Sequence, residues 1–227
     1  MSEPVAVPEP VDTGAIETAR ERAGAAIRDL GHAFVGRHMS AEQIDRLSDV
    51  LEGISAELWP GVPRRRGIRS PGDDDFAEGR IDQGFSDRPV SGAASPWGLD
   101  LDVHRRGDGI EAFVTLRAAH EGAPGRSHGG IVAALFDDVF GFVLGVLRQP
   151  AFTGELTVRY LAPTPLHRPL VCRARLVRRD GRKLFVEGEL VDVETEQEVA
   201  RCHALFIAVS ADHFVTPTAE RPAPPAE

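Results

Sequence analysis

One segment limits what this chain can fold into more than any other. Residues 128–147 read HGGIVAALFDDVFGFVLGVL, apolar nearly all round and free of proline. A helix that is apolar on every side is one buried within the protein. A bilayer span needs roughly 18 or more uninterrupted apolar residues, and the acid pair Asp137-Asp138 breaks this run. The surroundings have the two-residue period of strands. Leu99, Leu101 and Val103 alternate with Asp100, Asp102 and His104, and Ile110, Ala112, Val114 and Leu116 alternate again after a turn at 105–109. Four more strand-like stretches follow the helix, near 152–160, 170–179, 183–193 and 198–209. Asp180-Gly181 marks a tight hairpin, and 194–197 a second turn. Two strands, one buried helix and four strands predict an α+β fold, an antiparallel sheet wrapped around one long central helix. One helix covers too little of such a sheet, so a strand edge is left for a second copy.

The N-terminal quarter is of another kind. Ile16, Ala19, Ala23, Ile27, Leu30 and Phe34 recur at helical spacing over 14–35. A second helix begins at Ser40, with Gln43 completing a capping box and Met39 facing Ile44 as a hydrophobic staple. Ile44, Leu47, Leu51, Ile54 and Leu58 make its stripe, and Pro60 ends it. The expected organisation is a disordered segment 1–12, an N-terminal helical hairpin over 13–60 and an irregular loop or linker over 61–96. A sheet-and-helix domain over 97–210 and a disordered tail over 211–227 complete it. The hairpin is expected to bury its stripes on itself or on the main domain. The runs Arg64-Arg65-Arg66 and Asp73-Asp74-Asp75 read as solvated loop.

Charge and composition remove several functions. Lys plus Arg number 26 against 35 for Asp plus Glu, a net charge of −9. That is the wrong balance for electrostatic binding of nucleic acid. Cys172 and Cys202 are the only cysteines, too few for a disulfide framework or a thiolate zinc site. They read as small buried residues. His104, His120, His167 and His203 lack metal-ligand spacing, and no phosphate-binding Gly-x-x-x-x-Gly-Lys run occurs. The Pro-rich, acidic N-terminus does not read as a signal peptide. A cytoplasmic protein with no membrane or nucleic-acid partner is expected.

His128-Gly129-Gly130, with Asp137 nine residues after the histidine and Gly141 beyond, resembles the PaaI-type hotdog-fold acyl-CoA thioesterases. Thr153 and the later Tyr160-Leu-Ala-Pro163-Thr-Pro165 fit the same pattern, and the resemblance covers about residues 95–210. It implies hydrolysis of an acyl-CoA thioester by a homodimer or homotetramer. No metal or redox cofactor is implied; CoA arrives as part of the substrate. It assigns carbonyl binding to the Gly129 N–H, a lining role to His128 and the general base or nucleophile to Asp137. Thr153 would position that acid, and the Gly129 and Asp137 of one site would come from different subunits across the dimer interface.

The residues themselves allow the same chemistry. A helix N-terminus offers unpaired N–H groups and partial positive charge, and the glycines Gly129 and Gly130 let a ligand carbonyl approach. Such donors stabilise the oxyanion of a thioester under attack. His128 also fits a plain N-cap, with glycines that only permit close packing, and Thr153 an ordinary strand threonine. A carboxylate desolvated on this apolar helix is costly unless it is used, and it gains basicity. The residues alone leave Asp137 and Asp138 both open, and the resemblance, by the family's spacing, selects Asp137. Arg159 and Arg126 are candidates for a CoA phosphate. Many members of the family carry Asn or Gln six residues before the histidine; here that position is Gly122, beside Glu121, which is the candidate substitute. The alternative function is a non-catalytic acyl-CoA-binding module of the same fold. A hotdog hydratase would call for an Asp-x-Asn-Pro-x-His run, which is absent.

Overall fold

The computed structural model describes residues 13–61, 75–81 and 86–210. The segments expected to be disordered at both ends, and Arg64-Arg65-Arg66, lie outside these. Eleven elements follow in order. Helices α1 (Thr13–Gly36) and α2 (Ala41–Leu58) come first, then strands β1 (Gly79–Arg80), β2 (Asp102–Arg106) and β3 (Gly109–Thr115). A 3-10 turn (Ala118–His120) leads to helix α3 (Gly129–Val146). Strands β4 (Ala151–Tyr160), β5 (Pro169–Asp180), β6 (Lys183–Asp192) and β7 (Glu198–Ala208) close the domain.

The seven strands form one antiparallel sheet in the order β1-β2-β3-β5-β6-β7-β4. Helix α3 lies in its concave face, where Phe136, Val139, Phe140 and Phe142 are fully buried against strand residues such as Leu170, Leu184 and Leu190. By length and hydropathy α3 is, contrary to the sequence reading, apolar enough to cross a membrane. Its acids are only two, and eight of its residues are buried in the chain's own core. The Asp180-Gly181 hairpin is present, with Gly181 at φ +56°. A short strand, β1, interrupts the segment expected to be irregular. It pairs with β2 through Gly79–Arg105 and Arg80–His104.

Strand β4 is an edge. It pairs with β7 from Ala151–Ala208 to Tyr160–Ala200, and the register shifts between Thr153 and Glu155. Gly154 is therefore an extra residue in the ladder, a β-bulge.

The N-terminal helices depart from expectation. Helix α2 has its full Ser40–Gln43 capping box and no buried residue. Helix α1 docks on the domain by its polar face. Gly24 comes so close to the Ala94 backbone that a β-carbon would sit 2.7 Å from it. Buried Arg28 donates to the Ala93 and Ser95 carbonyls and to Asp100, Arg20 pairs with Asp87, and Arg117 reaches back to Asp29. The stripe expected to be buried is turned outward: Ile16, Ile27 and Phe34 on α1, and Ile44, Leu51, Ile54 and Leu58 on α2, are exposed. Docking is decided here by charge pairs and close backbone approach, which apolar periodicity does not register.

Candidate active site

The segment before α3 is held from three sides. The His128 N–H donates to the His120 carbonyl at 2.9 Å, and the Ser127 N–H to the Thr164 carbonyl at 2.9 Å. Arg126 bridges to Pro165. The Tyr-x-x-Pro-x-Pro run thus forms the bed on which the helix starts. His128 is the N-cap: its Nδ1 accepts from the Gly130 N–H at 2.9 Å. This occupies the Gly130 donor and is the plain capping role the sequence allowed. The Gly129 N–H, first in the helix, has no intrahelical acceptor, and no hydrogen bond among the described residues uses it. The donor expected to meet a carbonyl is the one left free.

Tyr160, at the end of β4, lies over this turn. Its hydroxyl donates to the Gly129 carbonyl at 2.7 Å, and a β-carbon on Gly129 would stand 3.0 Å from that oxygen. Partial burial raises the phenol above its ordinary pKa, so it stays a donor.

The two acids of α3 separate cleanly. Asp138 is the more buried of the two. Its side chain is 10% exposed and pairs with Arg88 at 2.9 Å, while Arg88 also donates to the Asp138 carbonyl and stacks over Phe142. Asp137, expected to be desolvated, is exposed in the single chain. Successive residues point about 100° apart on a helix of 3.6 residues per turn, so one acid turns toward the 86–100 segment and the other toward β4. Thr153 Oγ1 donates to Asp137 Oδ1 at 2.8 Å. Burial and the negative charge of Asp137 push the Cys202 thiol up to about 12, and burial raises Cys172 further. Both cysteines are inert neutral core groups.

Glu121 is engaged locally, accepting from the Gly125 N–H at 2.6 Å and bridging to Ser127. It closes its own turn rather than reaching the helix start. The glycine at 122 has a packing reason. A β-carbon there would lie 2.7 Å from the His128 Cα, so the larger side chain of many relatives is excluded by this loop. Arg126 and Arg159 are exposed. No group of three metal-ligating side chains occurs among the described residues.

Two features were not read from the sequence. Arg88 is separated from Asp138 by 50 residues, and no local signal joins them. The bulge at Gly154 left only its glycine as a trace. It matters because Thr153 and Tyr160 are seven residues apart, which in a regular strand places them on opposite faces. The extra residue brings both onto the face that meets α3.

An antiparallel sheet of this order curled around a single helix is a hotdog fold. Residues 125–199 match the family described as the thioesterase superfamily. The crystal structure of RHA08564, a thioesterase superfamily protein, superimposes with a TM-score of 0.68 at 26% identity, covering 83% of this chain and 94% of that one. Acyl-coenzyme A thioesterase THEM4 of Mus musculus is 30% identical over 96 residues, 42% of this chain and 41% of that protein. The Xenopus laevis protein of the same name is 31% identical over 87 residues, 38% and 39% of the two chains. The chain spans about two fifths of the length of these curated relatives. The domain built on α3 has the hotdog fold and is similar to members of the thioesterase superfamily.

Proposed function

We propose that the protein hydrolyses acyl-CoA thioesters at a site composed from two copies of the chain. The observation that carries this reading is Asp137, an exposed carboxylate on an apolar helix, oriented by the Thr153 hydroxyl at 2.8 Å. Its likeness to acyl-coenzyme A thioesterases supports the substrate class. Gly129 and Asp137 are eight residues apart on one helix, about 12 Å at 1.5 Å per residue. That is too far for both to act on one carbonyl, so the Gly129 N–H of one copy serves the Asp137 of another. The free edge of β4, which carries Thr153 and Tyr160, is where a second copy joins.

The Gly129 N–H donates to the thioester carbonyl oxygen and stabilises its negative charge as the carbonyl is attacked. Asp137 takes a proton from water, whose oxygen bonds to the carbonyl carbon. The carbon–sulfur bond then breaks, and the CoA sulfur leaves as the thiol with the proton that Asp137 had taken. Alternatively the carboxylate attacks the carbonyl carbon itself, the carbon–sulfur bond breaks with loss of the CoA thiolate, and water opens the resulting anhydride to the same acid and the free carboxylate. The cytosol, where acyl-CoA is made and used, is the compartment proposed.

Free-thiol release from short, long and aromatic acyl-CoAs tests this. Turnover of at least one class, lost in Asp137→Asn, is expected. Tight binding of a non-hydrolysable acyl-CoA analogue with no turnover of any member overturns it in favour of a non-catalytic acyl-CoA-binding module.

A further inference from the structure

We infer that the outward apolar stripes of α1 and α2 are a contact surface for a second copy of this chain, distinct from the β4 edge. The inference rests on the two-copy reading above for the presence of the partner, and extends it to a part of the chain that the thioesterase family match, residues 125–199, does not include.

The surface is of the size that marks a contact site. Ile27 and Phe34 on α1 are 53% and 48% exposed; Leu51, Ile54, Leu58 and Trp59 on or ending α2 are 41%, 48%, 72% and 87% exposed. The four at α2 alone leave on the order of 500 Å² uncovered. That lies in the upper part of the ~300–600 Å² of the largest apolar patch on an ordinary monomer, which is often functional, and two such stripes face to face bury on the order of 1,000 Å², the least a specific interface needs.

The helix needs a partner and does not find one in its own chain. An isolated helix of this length is marginal in water even with good capping. Helix α2 has 18 residues and none is buried. Helix α1 has already spent its polar face on the domain through Arg20, Arg28 and Asp29, so its own stripe points away from that domain.

Charge selects among partners. Helix α2 carries Glu42, Asp45, Asp49, Glu52 and Glu57 against the single base Arg46, and neither helix has a lysine. Helices that lie on anionic lipid are basic on their polar face, so a membrane surface does not fit. A copy of the same chain does. It presents the same two stripes, and a two-fold contact buries like against like. Once copies meet at β4, the second contact forms at high effective concentration.

Trp59 is the reporter. The chain has two tryptophans, so Trp97→Phe leaves Trp59 alone at the end of α2. Acrylamide quenching of this variant is followed over a dilution series, with mass measured by light scattering. Quenching of Trp59 is expected to fall severalfold as copies associate. Leu51→Asp with Ile54→Asp, at exposed positions, is expected to shift association to concentrations at least about ten-fold higher and to leave Trp59 open, with helical circular dichroism retained. Association with Trp59 open throughout overturns this inference and leaves the composite site standing. Protection of Trp59 in a persistent monomer overturns it in favour of α2 folding on its own chain, and overturns the composite site as well. Protection only on adding anionic phospholipid vesicles overturns it in favour of a lipid surface.

Discussion

The Tyr160 hydroxyl donates to the Gly129 carbonyl at 2.7 Å, tying the end of the edge strand to the first turn of the central helix. The bond fixes the peptide next to the free Gly129 N–H. A neutral hydrogen bond of this kind is worth about 0.5–1.5 kcal/mol. Tyr160→Phe should lower kcat by about 3–10-fold, with a melting temperature only a few degrees lower. An unchanged kcat would mean that the turn holds itself.

Asp137 and Thr153 divide their effects differently. Asp137→Asn keeps the shape and removes the charge, so turnover should fall by roughly 10²–10⁴ while melting stays near wild type. Thr153→Val removes the orienting hydroxyl alone; about ten-fold in kcat with little change in KM is expected. Near-normal turnover of a folded Asp137→Asn protein would sink the mechanism.

Asp138 should behave as a structural acid. Arg88→Met leaves its carboxylate buried without its partner, at a cost of about 2–4 kcal/mol. Arg88→Met with Asp138→Leu replaces the pair by apolar groups and should recover most of that loss. Urea denaturation of both variants measures it. Equal stability of the two would show that the pair is idle.

The docking of α1 should be sensitive to acid. His120 is buried, its Nδ1 accepts from the Arg117 N–H, and its ring meets that of His32 edge-on at 4.7 Å. Burial first, then the charges of His32 and Arg117, lower His120 from 6.5 to about 4, while Asp100 opposes. Burial and Arg117 also lower His32. The folded state therefore refuses a proton that the unfolded chain accepts below pH 6.5. Stability is full above 6.5 and declines as the pH falls toward about 4, by on the order of 2–3 kcal/mol for His120. His120→Asn keeps an acceptor and removes the titration. Its melting temperature should fall less between pH 7.5 and 4.5 than that of wild type. Parallel curves would refute the assignment.

Where a decision is local, the sequence was enough to read it. The Ser40–Gln43 box, the Asp180-Gly181 hairpin and the wrapped helix at 129–146 each follow from residues within a few positions of one another. The free N–H at Gly129 and the Thr153–Asp137 bond lie where the motif spacing pointed. Burial of Asp137 was misjudged, because mean apolarity describes a helix and not the direction of one side chain. The packed face of α1 was misread for a related reason. Its contacts are made by Arg20, Arg28, Asp29 and His32, which an apolar stripe makes look solvent-facing. The role of Arg88 belongs to tertiary structure alone.

The extra residue at Gly154 makes the site a matter of parity. Between Thr153 and Tyr160 the chain advances seven residues while the ladder advances six, from Phe206 to Ala200. Pairing all seven residues in a regular ladder, without the bulge, would shift the register by one and rotate half of the strand by 180°. Either the hydroxyl on Asp137 or the hydroxyl on Gly129 would survive, never both. A one-residue gap that takes the bulge with it would keep both hydroxyls in place, so among chains of this fold the length of this strand and its bulge must change together or not at all.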